Sequence, residues 1–161
     1  MIHLILQQLA QAPALLHDLV EGIPPELHKQ HRIPGKWCIH EHACHLADVH
    51  SMMITRFEQF KKEEHPAFVP FLPGQTISDH HLMDMDLQES LLHFAQDREQ
   101  LLNLLNSFTD TDWAKTATHP EYTQFTAKIF ARHIMMHDHL HMYRIEELWL
   151  TEDAYLPNQK A

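Results

Sequence analysis

The chain has 161 residues, a length that suits one domain, residues 1–161, built on one core. Acidic residues exceed basic ones, leaving a net charge of −10 with histidine neutral, and the basic residues form no cluster beyond Lys61-Lys62. Such a surface does not neutralise a phosphate backbone or seek anionic lipid, so neither nucleic acid nor a membrane is an expected partner. Two cysteines, Cys38 and Cys44, are too few for a disulfide framework and read as reduced thiols of a cytoplasmic protein.

The first helix is expected over the opening residues, with Leu4, Ile5, Leu9, Leu15, Leu16 and Leu19 as its apolar face. Gln7, Gln8 and Gln11 interrupt that stretch and no basic flank precedes it, so it reads as an amphipathic helix rather than a secretion signal. Gly22 and Pro24-Pro25 end it. A connector runs through Pro34-Gly35 to Trp37. A second helix follows over 39–61, with Ile39, Ala43, Leu46, Met53, Phe57 and Phe60 as its stripe. Pro66, Pro70, Pro73 and Gly74 make a long loop, and Phe68, Val69, Phe71 and Leu72 suggest that it packs over the helices.

A third helix spans 85–107, with Leu87, Leu91, Phe94, Leu101, Leu104 and Leu105 inward. Thr109-Asp110-Thr111-Asp112 resembles a capping box with Asp in the place of Glu, opening a short helical turn. His119-Pro120 breaks the chain, and a fourth helix covers 125–151. The tail, 157–161, is expected to fray. Trp37 reads as a plug at the bundle end, Trp113 and Trp149 as core or interface anchors, and Met135, Met136 and Met142 as packing. Four long helices with these connectors predict an all-α fold, a four-helix bundle with a crossover connection. No apolar run is long enough to span a bilayer.

Histidine carries the chemistry: there are 17, and two clusters stand out. One is His40, His42, His45 and His50; the other is His133, His137, His139 and His141. His137 and His141, four apart, project from one helical face. Neutral imidazole is the commonest metal ligand, and a histidine from the second helix would complete a three-nitrogen site with open positions. Periodicity leaves His42 and His45 both eligible, and His133 extends the row on the last helix. Two other motifs fail. His40-Glu41-His42-Ala43-Cys44 begins as HExxH but ends in cysteine. Asp138 and His141 resemble half of a di-iron bundle site, yet the second helix offers no matching half.

The segment from Trp37 to Asp48, ending in His45-Leu46-Ala47-Asp48, resembles the tryptophan-to-HLAD segment of the DinB/YfiT-like family. His137 to Ile145 resembles its second metal segment, and His119-Pro120-Glu121 its HPE element. Phe94, Arg98 and Leu101-Leu102 match its third-helix pattern. Where family members often carry a glycine after the HPE element, this chain has Tyr122-Thr123-Gln124, so that turn takes its own shape. The resemblance implies a four-helix bundle with a divalent metal held by His45, His137 and His141, and thereby prefers His45 over His42. It further implies a metal-dependent enzyme, a thiol S-transferase or a hydrolase, acting on a small molecule in stress response or detoxification. A low-molecular-weight thiol is a possible cosubstrate, and a homodimer is the common assembly. The non-enzymatic alternative is a histidine-rich bundle that only binds metal.

Three neutral imidazoles leave an ion its full charge, able to lower the pKa of a bound water or thiol. Zinc suits a tetrahedral arrangement; nickel, iron or manganese accept more waters. Glu41 and Asp48, four before and three after His45, are the candidates to orient its ring. Asp138 points about 100° away from His137 and is expected on a solvated face. Cys44 reads as a small buried residue.

Overall fold

The computed structural model describes residues 1–70 and 81–156. Helix α1 (Ile2–Glu21) stops at Gly22, whose N–H turns back to the Asp18 carbonyl while the Ile23 N–H reaches that of Val20. Its buried row is Ile5, Leu9, Ala12, Leu16 and Val20, whereas Leu4 and Leu15 are 54% and 49% exposed. Each of those two precedes a buried residue by one position, which swings it about 100° off the inward direction. The apolar face is therefore narrower than its leucine content suggests.

The single helix expected over 39–61 is two, α2 (Ile39–Asp48) and α3 (His50–Lys62). Hydrogen bonds still run from the Val49 N–H to the His45 carbonyl and from the Met53 N–H to the Val49 carbonyl, so the break is a one-residue irregularity. Its cause is local. Val49 is β-branched, and the His50 ring bonds the Leu46 carbonyl at 3.4 Å, competing for the acceptor that the backbone would use.

Helices α4 (His81–Asp84), α5 (Leu87–Asn106), α6 (Asp110–Ala114) and α7 (Ala127–Leu150) complete the order. Side chains start three of them. Asp86 accepts the Glu89 N–H at 2.9 Å, and Thr126 accepts the Ile129 N–H at 3.1 Å. Thr109 and Asp112 form the expected reciprocal cap of α6. Each satisfies an N–H that a helix start otherwise leaves unpaired.

Helices α1 and α2 each pack against both α5 and α7. They therefore sit diagonally, and residues 22–38 cross the end of the four-helix bundle; the link from α5 to α7 is diagonal as well. Phe68 is buried among Phe60, Phe125 and Phe130, as expected of an apolar loop that packs inward, while Val69 is exposed. The other two apolar residues of that loop, Phe71 and Leu72, lie outside the described residues, as does the 157–161 tail. Trp113 is buried and Trp149 lies against the core. No helix among the described residues is long and apolar enough to cross a membrane.

The apolar core is in two parts. One gathers around Phe57, Phe60 and Phe130, the other around Leu16, Leu46 and Ile145. Between them lies a buried polar layer centred on Arg98. Its Nη1 donates to Asp138 Oδ2 at 2.7 Å and to the Leu9 carbonyl at 3.2 Å, and its Nε donates to His50 Nε2 at 3.1 Å. One guanidinium thus joins α1, α3, α5 and α7. Burial pushes the Asp138 carboxyl up while the guanidinium pulls it back. Removing one member of a buried ion pair leaves an uncompensated charge, at a cost of about 3–5 kcal/mol. Arg98→Met is expected to lose that much in urea unfolding, and the Arg98→Met/Asp138→Leu pair to recover most of it. A single variant as stable as wild type would contradict this role.

Candidate metal centre

The arginine layer sets the rotation of α7. With Asp138 turned into the bundle toward Arg98, the neighbouring His137 and, one turn on, His141 face α2. There His45 meets them. His45 Nε2 and His141 Nε2 each lie 3.2 Å from His137 Nε2, and the three ligand nitrogens are all within 4.8 Å of one another. An ion at about 2.0–2.1 Å from each nitrogen requires N···N separations of about 2.9–3.4 Å, from octahedral to tetrahedral angles. The two 3.2 Å contacts to His137 fall inside that range, the third pair lies within 4.8 Å, and three imidazole nitrogens suit a divalent ion of the borderline kind.

Burial makes the set ready for metal. It pulls His45, His137 and His141 down to about 3, with the neighbouring histidines adding to the effect. A ligand imidazole must be neutral, and near neutral pH these are. The remaining nitrogen of His141, Nδ1, lies 2.9 Å from His42 Nδ1. With an ion on its Nε2, His141 would carry its proton on Nδ1 and donate it to His42, which would then hold its own proton on Nε2. Such a partner fixes both the tautomer and the ring plane. The second residue left open by periodicity thus stands behind a member of the set rather than within it.

Trp37 is not a bundle-end plug. Its ring lies against His45, His42 and His141 with centroids 4.8, 5.4 and 5.9 Å away, so it shields the cluster from water on one side. Two further expectations are corrected. Glu41 accepts the Cys38 N–H at 2.8 Å and caps α2, and Asp48 pairs with His81 at 3.1 Å; among the described contacts neither orients His45. Asp138 lies not on a solvated face but 1% exposed, because a carboxylate 100° from His137 on this helix points at Arg98. Cys44 is buried, as expected, with its sulfur 3.5 Å from His40 Nε2. His133 does not join the triad; its ring stacks 6.5 Å from that of His137.

A cavity of about 180 Å³ opens beside His45 and His137. His119 lines it and also shapes the HPE turn, its Nδ1 accepting the Glu121 N–H at 3.2 Å. Tyr122, Phe125 and Phe130 form an aromatic wall, and Arg56 closes part of the lining. Arg56 went unnoticed in the sequence. Its signal is spacing: eleven residues after His45 is three helical turns to within about 20°.

A family model described as the DinB superfamily matches residues 8–145. The chain belongs to the DinB superfamily. Among solved structures it is similar to YfiT from Bacillus subtilis, described as a probable metal-dependent hydrolase with an unusual four-helix bundle topology. That likeness has 26% identity and a TM-score of 0.79, and covers 89% of this chain and 83% of that one. No curated protein matches. The bundle and family expected from the motifs around Trp37, His119 and His137 are thus borne out for this DinB chain.

Five buried or half-buried histidines give it a pH signature. His42 is lowered to about 4, and His45, His50, His137 and His141 to about 3, burial being the main cause in each. As pH falls, the unfolded chain takes up these protons first, near the ordinary value of about 6.5. Stability is therefore full above that value and drains as pH drops toward 4, at about 1.4 kcal/mol per pH unit for each histidine. The urea midpoint of metal-free protein is expected to fall steeply between pH 7 and pH 5. A flat midpoint across that interval would show that these rings are not held neutral.

Proposed function

We propose that this chain is a metal-dependent enzyme, of the hydrolase or thiol-transferase type, acting on a small molecule. The observation that carries the reading is the convergence of three neutral imidazole nitrogens, from α2 and α7, beside a cavity with an aromatic wall. The description of YfiT supports the hydrolase form. The resemblance to thiol transferases supports the other, with a low-molecular-weight thiol as cosubstrate.

His45, His137 and His141 would hold the ion. A bound divalent ion acts as a Lewis acid, lowering the pKa of a coordinated water or thiol and polarising an oxygen. The remaining work belongs to the chain. His42 keeps His141 in the tautomer that offers Nε2. Trp37 covers the imidazoles and lowers the local dielectric, which strengthens every charge interaction there. The cavity admits the small molecule on the side of His45 and His137. Zinc and nickel are the first ions to test, iron and manganese the next.

Zinc or nickel is expected to bind at one tight site and to raise the melting temperature, because a ligand bound only by the native state stabilises it by about 2.7 kcal/mol at a hundred times Kd. His45→Ala and His141→Ala should abolish both the site and the shift. Several comparable sites surviving in His45→Ala would replace the enzyme with a bundle that merely collects metal. In assays of ester hydrolysis and of thiol conjugation to small electrophiles, His141→Ala should lose the activity found in wild type; equal rates would reject a metal-assisted reaction.

His42→Ala leaves the three nitrogens in place but frees the His141 ring. Its zinc affinity, measured by competition with a chromophoric chelator, is expected to fall about 10–100-fold. An unchanged affinity would show that packing alone positions His141.

A further inference from the structure

The cavity beside the histidine triad contains a cation with an unusual environment. Three other arginines that are buried or half-buried each meet a carboxylate: Arg98 pairs with Asp138, Arg32 with Asp153 and Arg144 with Glu147. Arg56 is half-buried as well, yet among the described residues it meets no carboxylate at ion-pair distance. What holds it is a 2.7 Å bond from Nη2 to the Val69 carbonyl and two aromatic faces, Phe68 and Phe130, with centroids 5.3 and 5.8 Å from its Cζ. These contacts fix the guanidinium plane and, among the described residues, leave Nε, Nη1 and the second Nη2 proton unengaged. Glu121, the carboxylate of the cavity wall, is exposed.

A cation partly withdrawn from water is costly unless an anion answers it. A fixed guanidinium that keeps one two-pronged edge open, the second Nη2 proton beside a proton of Nε or of Nη1, matches the geometry of a carboxylate. The cavity, about 180 Å³, has room for a small acid.

Resting on the reading of this cavity as the substrate site, we propose that Arg56 anchors the carboxylate of a small organic acid. The acid's apolar body lies along Phe125, Phe130 and Met52, and its opposite end reaches His45 and His137. Arg56 is thus a specificity residue: it selects anionic over neutral molecules of the same shape and orients them toward the triad.

Fluorine NMR titration of the metal-free protein tests the anchor apart from any metal. The probe is 4-fluorobenzoate, and 4-fluorobenzamide is its neutral counterpart. Wild type is expected to bind the acid at least about tenfold more tightly than the amide. Arg56→Gln should remove that preference while leaving amide binding unchanged, and Arg56→Lys should keep part of it. Equal binding of acid and amide by wild type would overturn the proposal, as would an undiminished preference in Arg56→Gln. If Arg56→Gln does not fold, the acid-to-amide ratio in wild type and in Arg56→Lys decides. Zinc uptake without acid preference removes the anchor and leaves the metal reading standing. Acid preference without zinc uptake does the reverse.

Discussion

One guanidinium in the middle of the bundle sets the geometry on which everything else depends. Arg98 reaches a carbonyl of α1, a ring on α3 and a carboxylate on α7 from its own position on α5. Apolar packing alone tolerates small rotations of a helix, because one leucine replaces another at modest cost. A buried charge does not, because any rotation that parts Asp138 from Arg98 strands both in a medium of low dielectric. The layer therefore acts as a register pin for α7 and divides the core into an upper and a lower half.

That pin has a direct consequence at the histidines. Asp138 and His137 are adjacent, so fixing the first fixes the second about 100° around the helix, and His141 follows one turn later. The triad is assembled at some cost in stability. Its imidazoles are crowded and desolvated. Such local violations of good core packing are what functional sites tend to show. Here the desolvation that destabilises the charged rings also keeps them neutral, and neutral rings are what a cation needs.

Much of this was legible along the chain. The bundle followed from glutamine, leucine and methionine spaced for helices and from proline and glycine at the breaks. His45, His137 and His141 followed from motifs around Trp37 and His137 that resemble a known family. The structure departs from that reading where direction, a nearer partner or a competing side chain decides. Leu4 and Leu15 were placed inside because leucine is apolar, and Asp138 outside because aspartate is charged; both judgements used residue type where direction decided. Glu41 and Asp48 were assigned to His45 because they are near it in sequence, yet each had a closer partner, the Cys38 N–H and His81. The division of the second helix at Val49 depended on the His50 ring reaching the Leu46 carbonyl, a competition that a hydrophobic pattern does not register.

Periodicity, punctuation and a pair of histidines four apart are local quantities, so the amino-acid sequence by itself determined the helical class, the approximate helix ends and the presence of a metal-capable face on the last helix. Which side chains meet across helices is a different matter. That His42 stands behind His141, that Trp37 covers His141 as well as its neighbours on α2 and that Arg56 shares a cavity with His137 all depend on the relative rotation and diagonal placement of elements far apart in the chain. Only the tertiary structure decided these, because they are fixed by the burial of Arg98 and Asp138 against one another, an interaction between residues forty positions apart that no local pattern encodes.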